Sequence, residues 1–275
     1  MKIDGHITNR EFKLLLQPEG FDRHDKVEQL RSVVFDICKS LEISCDHLDN
    51  AATGLRNVYF FDTPKQDLRR NHTILRVRES RRDVFVDDWC EVTLKRRIDS
   101  LKDALRFDPI PRLPRNVRLR VKQEILRGDK PSETHLLYSN NSIIDPFPVD
   151  KLFSKTFASV VAVFKNAEAL KIKPNTPIGV VGGQKNKIAE ACMPIGQITF
   201  GPRVHAHCDV AIWFRKESEP LICELAFAYR VTDKNRDDAK AHSRADRLFS
   251  EIQMAIPTWL AAGTTKTAVV YGKAK

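Results

Sequence analysis

Residues 58–79 most constrain how this chain can fold, because they place guanidinium groups on a strand that is otherwise apolar. The sequence VYFFDTPKQDLRRNHTILRVRE is typical of a strand, a turn at residues 62–64 and a second strand. A period of two puts Arg76 and Arg78 on one face of the second strand. That face cannot belong to a hydrocarbon core. It predicts either a solvated strand face or a pocket for a polyanion, since guanidinium forks match phosphate geometry.

The same alternation of apolar and ionisable residues recurs on other predicted strands. These strands cover residues 10–17, 89–97, 116–125, 197–214 and 221–230. Like charges along one strand face repel each other, so solvent or a bound anion must offset them. The ionisable residues on these faces are Glu11, Lys13, Glu91, Lys95, Arg97, Arg118, Arg120, Lys122, Glu124, His205, His207, Asp209 and Glu224.

Helical spacing of apolar residues predicts amphipathic helices over residues 22–41, 150–170 and 233–256. Residues 98–115 hold three prolines and predict a connector with a short helix. We expect an irregular loop over residues 128–148 and a closing strand over residues 264–271, which brings Lys266.

Strands with one apolar and one ionisable face are hard to reconcile with a sandwich, whose inner face is dry. A closed β-barrel satisfies them if the apolar faces pack against outer helices and the charged faces line a solvated tunnel. We therefore predict an α+β fold with helices packed on the outside of the tunnel, formed by residues 1–275 as a single domain.

Composition favours an anionic partner, because Lys+Arg 46 against Asp+Glu 36 gives a net charge of +10. The basic residues are dispersed along strands, which fits an internal anion site better than a nucleic-acid arm. The six cysteines show no CxxC spacing and indicate reduced core thiols in a cytoplasmic protein. No apolar run suggests a leader or a membrane span, so we expect no membrane partner.

Several strand motifs together resemble those of the CYTH family, the triphosphate tunnel metalloenzymes. They are Glu11-x-Lys13, Tyr59-Phe60-Phe61-Asp62-Thr63-Pro64 followed by Leu75-Arg76-Val77-Arg78, Thr93-Leu94-Lys95, Arg118-Leu119-Arg120-Val121-Lys122 and Cys223-Glu224-Leu225. The resemblance implies an antiparallel eight-stranded tunnel that binds triphosphate. Members hydrolyse inorganic triphosphate, thiamine triphosphate or RNA 5′ ends, cyclise ATP, or extend polyphosphate. Residues from about 128 to 191 have no counterpart and form an insertion.

The resemblance also implies roles for individual residues. Acidic residues would hold Mg²⁺ or Mn²⁺: Glu11, Asp209 and Glu224. Basic residues would hold the phosphates: Lys13, Arg76, Arg78, Lys95, Arg118, Arg120 and Lys122. Two family carboxylates are replaced, by Asn9 and Ala226. Their loss removes charge on which a hard cation depends, unless His205, His207 or Glu91 substitutes.

Three functional hypotheses follow. The first is a divalent-metal-dependent phosphohydrolase acting on inorganic triphosphate or on a triphosphate-bearing organic molecule. The second is a non-catalytic binder of a phosphorylated ligand that has lost part of its metal site. The third, a nucleic-acid module, ranks last because no aromatic residues interleave with the basic strand at residues 116–125. The sequence leaves the oligomeric state open, a homodimer included.

Overall fold

The computed structural model describes residues 6–48, 53–82, 85–107, 110–112, 116–128, 133–148, 156–183, 186–216, 219–261 and 264–272. The fold is mixed α+β, as predicted. Its strands are β1 (Asn9–Leu16), β2 (Ser44–Asp46), β3 (Gly54–Asp62), β4 (Thr73–Arg82), β5 (Phe85–Ile98), β6 (Val117–Arg127), β7 (Thr134–Pro148), β8 (Gly179–Val180), β9 (Ile188–Gly201), β10 (Val204–Lys216) and β11 (Glu219–Arg230). Its α-helices are α1 (His24–Ser40), α2 (Asp67–Arg70), α3 (Leu101–Arg106), α4 (Phe157–Val163), α5 (Ala239–Ala255) and α6 (Lys266–Tyr271).

The strands form one sheet in the order β2-β9-β10-β11-β1-β6-β7-β5-β4-β3-β8, and β3 also pairs with β9. That extra pairing closes a ring of nine strands, from which β2 and β8 branch. All neighbours are antiparallel except β1 and β6, which run parallel from Asn9↔Lys122 to Lys13↔Leu126. The predicted ring of eight antiparallel strands is therefore wrong in its strand count and in this one pairing.

The apolar strand faces point away from the ring axis and pack against helices. On one side Phe12, Val210 and Leu225 pack with residues of α1 and α5 such as Val34 and Leu248. On the opposite side β4 and β5 pack against α4 and the 3-10 helix Lys165–Leu170. Because these two clusters lie between the strands and the outer helices, the other strand faces turn inward and carry the ionisable residues. A third, smaller apolar cluster lies on the inner side and contributes Phe60 and Trp213 to the interior.

Residues 128–148 do not form the predicted irregular loop, because β7 occupies Thr134–Pro148 and pairs with both β5 and β6. A run of polar residues, Ser139 to Ser142, hid the strand pattern. These side chains are buried, and within the described residues the Asn140 amide oxygen and the Ser142 hydroxyl lack a hydrogen-bond partner. Asn140 Nδ2 donates to Phe107 O over 2.7 Å, and Ser139 Oγ donates to Glu124 Oε1 over 2.7 Å.

The predicted closing strand over residues 264–271 is also wrong, because α6 lies there. Its β-branched residues indicated a strand, but Thr265 caps a helix, accepting a hydrogen bond from Ala268 N over 3.0 Å. The single strand predicted over residues 197–214 is divided by a turn between β9 and β10.

The helix predicted over residues 150–170 is shorter than expected. It becomes α4 and the 3-10 helix Lys165–Leu170, and residues 150–155 lie outside the described residues. The six cysteines are free thiols, and four of them are buried. Within the described ranges, every helix is too short or too polar to cross a lipid bilayer.

Candidate functional site

A cavity of about 690 Å³ lies on the inner side of the strands. Basic side chains from several elements line it, and all but Arg127, at the end of β6, occupy the inward phase of a strand or the start of α6. Three glutamates share the lining: Glu11, Glu133 and Glu224. The eight basic residues are Lys13, Arg76, Arg78, Lys95, Arg97, Lys122, Arg127 and Lys266.

One group of cavity residues, the Glu124 cluster, surrounds a carboxylate with no solvent exposure. Lys95 Nζ donates to Glu124 Oε1 over 2.7 Å, while Lys13 Nζ and Arg97 Nε lie 3.3 Å from Glu124 Oε2. Glu11 Oε2 extends the cluster, at 2.9 Å from Lys13 Nζ and 3.0 Å from Lys122 Nζ. The members are Glu11, Lys13, Lys95, Arg97, Lys122 and Glu124.

Protonation in the Glu124 cluster follows from burial and charge. Burial raises the pKa of Glu124, but Lys13, Lys95 and Arg97 outweigh it and lower that pKa well below its usual value. Burial lowers the pKa of Lys95 to about 7, although Glu124 opposes the shift. Glu124 is therefore ionised, and Lys95 holds the proton most easily lost near neutral pH.

A second group, the Glu190 cluster, is built around another buried carboxylate. Glu190 Oε2 accepts the indole N–H of Trp213 over 2.7 Å and lies 3.5 Å from Arg78 and 3.9 Å from Lys266. Lys266 Nζ is 3.2 Å from Glu224 Oε1 and 4.5 Å from the centroid of the Trp213 ring. The members are Arg78, Glu190, Trp213, Glu224 and Lys266.

Glu91 joins the basic strand β4 to β6. Its carboxylate lies 3.7 Å from Arg76, 3.4 Å from Arg78 and 3.1 Å from Arg118. Burial raises the pKa of Glu91, but Arg76, Arg78 and Arg118 lower it further than burial raises it. This carboxylate therefore stays charged and holds the three guanidiniums close together.

The structure brings five of the seven predicted phosphate-binding residues to the cavity: Lys13, Arg76, Arg78, Lys95 and Lys122. Arg118 and Arg120 do not line it. Arg118 is half exposed and pairs with Glu91 and with Asp145, the latter at 2.9 Å. Alternation along β6 gave the correct face for these arginines but not their position along the ring axis.

The predicted metal ligands are not gathered at one point. Glu11 and Glu224 line the cavity, whereas Asp209 does not. Glu11 is opposite Ala228 and Glu224 is opposite Leu15, so the two are four positions apart along the strands, roughly 13 Å at 3.3 Å per residue. Asp209 is opposite Ala226, and burial raises the pKa of its carboxyl, which disfavours the ionised form.

Among the residues that the structure describes, no group of three or more His, Cys, Asp or Glu side chains is placed to hold a metal ion. His205 does not substitute, because its ring nitrogens lie 3.0 Å from Thr199 Oγ1 and 3.3 Å from Pro202 O, and the residue is exposed. His207 is exposed too. This donor set does not fit a resident Mg²⁺ or Mn²⁺ ion, and metal binding stays a prediction.

Sequence reasoning left several residues that line the cavity or pair with its lining without a role: Arg97, Glu124, Arg127, Glu190, Trp213 and Lys266. Two of them carried a usable signal, because Glu124 shares the alternating face of β6 and Trp213 shares the phase of Asp209 on β10. Glu190 lies at the start of β9, where prolines and glycines precede it and no alternation could be read.

Comparisons with known proteins add little. No protein-family model matches the chain, and none of the curated proteins does. Solved structures that match include HpAC1 of Hippeastrum, a proposed adenylyl cyclase described as having a dominant triphosphatase activity. It is 13% identical over 96% of this chain and 95% of that chain, with a TM-score of 0.47.

Two further matches are proposed adenylate cyclases. One from Bacillus halodurans is 12% identical over 94% of this chain and 97% of its own, with a TM-score of 0.39. One from Vibrio parahaemolyticus is 12% identical over 97% of this chain and 99% of its own, with a TM-score of 0.35. Similarity at this level assigns neither fold nor function, so the functional conclusion rests on the side chains of the cavity.

Proposed function

We propose that this protein binds a triphosphate, inorganic or carried by a small organic molecule, inside a tunnel formed by the strand ring. The observation that carries the proposal is the convergence of eight lysine and arginine side chains on one cavity of about 690 Å³. Three glutamates line the same cavity. Three more, Glu91, Glu124 and Glu190, lie outside the lining and form ion pairs with its cations. Among the described residues, these eight cations therefore outnumber the six carboxylates even when all six are ionised.

An excess of buried positive charge is costly unless an anion offsets it. Triphosphate is a suitable anion because its oxygens accept hydrogen bonds along a chain, and guanidinium and ammonium groups donate them. The Nε atoms of Arg76, Arg78 and Arg127 are buried and lack a hydrogen-bond acceptor among the described residues. Such donors call for an acceptor that the protein itself does not provide.

Hydrolysis of a phosphoric anhydride bond is the second candidate function, and Lys95 favours it. Phosphoryl transfer depends on positioning and charge stabilisation, which the cavity cations supply. Lys95 has a pKa of about 7 and lies among the candidate phosphate-binding groups, so it can accept a proton from an attacking water at neutral pH. In the metal-dependent form of this proposal Mg²⁺ or Mn²⁺ would add further charge neutralisation, although the residues present do not fit a resident ion.

Calorimetric titration with tripolyphosphate tests the binding proposal. We expect saturable one-site binding that weakens by about tenfold or more in Arg76→Gln, the loss expected for one charge-assisted hydrogen bond. Arg247→Gln is the matched control, because Arg247 on α5 is exposed and remote from the cavity. Absence of binding by the folded wild-type protein would refute the proposal.

Phosphate release from a panel of triphosphates, with and without Mg²⁺ or Mn²⁺, separates the two candidate functions. Release that is lost in Lys95→Met supports hydrolysis. Saturable binding without release across the panel supports the non-catalytic binder. Binding of RNA or DNA in preference to tripolyphosphate, with a steep salt dependence, would support the nucleic-acid hypothesis instead.

A further inference from the structure

Lys266 occupies a cage of opposite charge and aromatic surface inside the cavity. Its ammonium nitrogen is 3.2 Å from Glu224 Oε1, 3.9 Å from Glu190 Oε2 and 4.5 Å from the centre of the Trp213 ring. The side chain is 12% exposed. An ammonium group is attracted both by carboxylates and by an indole face, and the attraction grows as water is excluded.

Side-chain contacts at both ends of α6 hold Lys266 in this place. The Thr265 side chain caps the start of the helix. At its other end the Tyr271 hydroxyl donates to Asp62 Oδ2 over 3.1 Å, and the Arg69 guanidinium lies 5.0 Å from the Tyr271 ring centre. Val270 and Tyr271 also pack with Phe60 and Trp213 in a buried cluster. Lys266 is therefore a fixed charge and not a freely moving one.

Glu224 is the acidic residue whose surroundings argue most directly against a metal ion. The neighbouring inward position on the same strand is Ala226, which offers no ligand, and Lys266 already neutralises the Glu224 carboxylate. A hard divalent cation needs several oxygen ligands. Among the described residues, Glu224 belongs to no set of three donors that could supply them.

We propose that the Lys266 ammonium group takes the place of a divalent cation in this tunnel. It offsets negative charge of Glu224 and Glu190 that would otherwise repel the bound phosphates, so triphosphate binds without metal. This inference rests on the proposed triphosphate binding and specifies its cofactor requirement. Because a side chain cannot be removed by a chelator, binding should persist when divalent ions are removed.

Calorimetric titration of tripolyphosphate in EDTA and in excess Mg²⁺ tests the inference. For the wild-type protein we expect saturable binding in EDTA that is at least as tight as in excess Mg²⁺, because Mg²⁺ in solution complexes tripolyphosphate and lowers its charge. Wild-type binding that requires Mg²⁺ would overturn the inference and leave the proposed function intact. No binding in either buffer would overturn the proposed function as well.

Substitution of Lys266 gives an independent measurement. In EDTA, Lys266→Met should bind tripolyphosphate about tenfold or more weakly, while Lys266→Arg should keep most of the affinity because it keeps the charge. Lys240→Met, an exposed lysine on α5, is the matched control and should bind as the wild type does. Wild-type affinity for Lys266→Met in EDTA would refute the role of Lys266. Should that variant fail to fold, the wild-type comparison with and without EDTA decides alone.

Discussion

Glu124 shows how strongly single residues in the cavity depend on each other. The carboxylate has no solvent exposure, and it stays ionised because Lys13, Lys95 and Arg97 surround it. Removing one partner from a buried ionic group leaves the others uncompensated, which costs more than the pair contributes. Glu124 thus offsets the charge of buried cations in the free protein, as we propose that a bound anion does in the cavity.

Glu124→Gln should destabilise the free protein. The substitution keeps the shape and the hydrogen bond from Ser139 but leaves three buried cations without this carboxylate, at a cost of about 3 kcal/mol. Urea unfolding at pH 7 measures the change in free energy. Glu251→Gln, on the solvent side of α5, is the control and should change stability by less than about 0.5 kcal/mol. An equal, small effect for both variants would contradict the ionic role of Glu124.

Acid should unfold the protein through its buried glutamates. The folded-state pKa values of Glu11, Glu124 and Glu190 all lie below the ordinary value of 4.5. Their contribution to stability is therefore complete above pH 4.5 and is lost as the pH falls below it, because the unfolded chain then binds more protons. Each group changes the free energy of unfolding by up to about 1.4 kcal/mol per pH unit. Urea unfolding between pH 3 and 6 tests this, and a flat profile would contradict it.

Lys95 should make ligand binding depend on pH near neutrality. Its pKa of about 7 in the free protein means that the ammonium group loses its proton as the pH rises through that value. Tripolyphosphate should then bind less tightly at pH 8 than at pH 6, relative to Lys95→Met measured with the same ligand. Calorimetric titration at both pH values measures the difference. Parallel pH profiles for the two proteins would rule out this titration.

The sequence predicted which strand face each site residue occupies. Alternation along β1, β4, β5 and β6 placed Lys13, Arg76, Lys95 and Lys122 on inward faces, and these residues line the cavity. Arg118 has the same phase but lies near the start of β6, where it pairs with carboxylates outside the lining. A period of two shows on which face of a strand a side chain lies. How far along the ring axis that side chain lies depends on the register between strands.

At the scale of elements, prediction failed where local chemistry and tertiary context disagree. The centre of β7 is polar, and its burial is partly compensated by partners on α3, β6 and its own strand that a local pattern does not contain. The β-branched residues of α6 favour a strand on propensity alone, yet a threonine cap and packing against Phe60 and Trp213 stabilise a helix. Strongly periodic helices such as α1 and α5 were predictable because their apolar stripe alone encodes the packed face.

Tyr271→Phe should loosen α6 without disturbing the ring. The Tyr271 hydroxyl donates to the buried Asp62 carboxylate, which also accepts backbone N–H bonds from Thr63, Leu68 and Arg69. Loss of one such bond should cost about 1 kcal/mol. Hydrogen exchange of the α6 amides should accelerate more than that of β1. Tyr138→Phe is the control, because among the described residues the Tyr138 hydroxyl makes one long contact, of 3.5 Å, with Gln123 Nε2.

At the scale of the whole molecule, the cavity exists because the ring closes. Closure depends on pairings between segments far apart in the chain, such as β3 with β9 and β1 with both β6 and β11. The alternating faces predicted that strands surround a polar interior, but pairing order and the parallel β1–β6 contact leave no local mark in the sequence. The cations that line the cavity therefore lie together only in the folded state.

A ligand that binds between these strands should consequently stabilise the entire fold. Tripolyphosphate contacts cations that converge in the native state and are dispersed in the unfolded chain, so it binds the native state selectively. At 100 times its dissociation constant it should add about 2.7 kcal/mol to the free energy of unfolding. For a chain of this size, each kcal/mol raises Tm by roughly 2 °C. Thermal unfolding with tripolyphosphate, against sodium chloride at equal ionic strength, measures the shift. At the same concentration, a tenfold weaker Arg76→Gln should gain only about 1.4 kcal/mol. A Tm rise that is about halved in Arg76→Gln and unchanged in Arg247→Gln places the effect in the cavity. Equal shifts with both salts would indicate screening of surface charge alone.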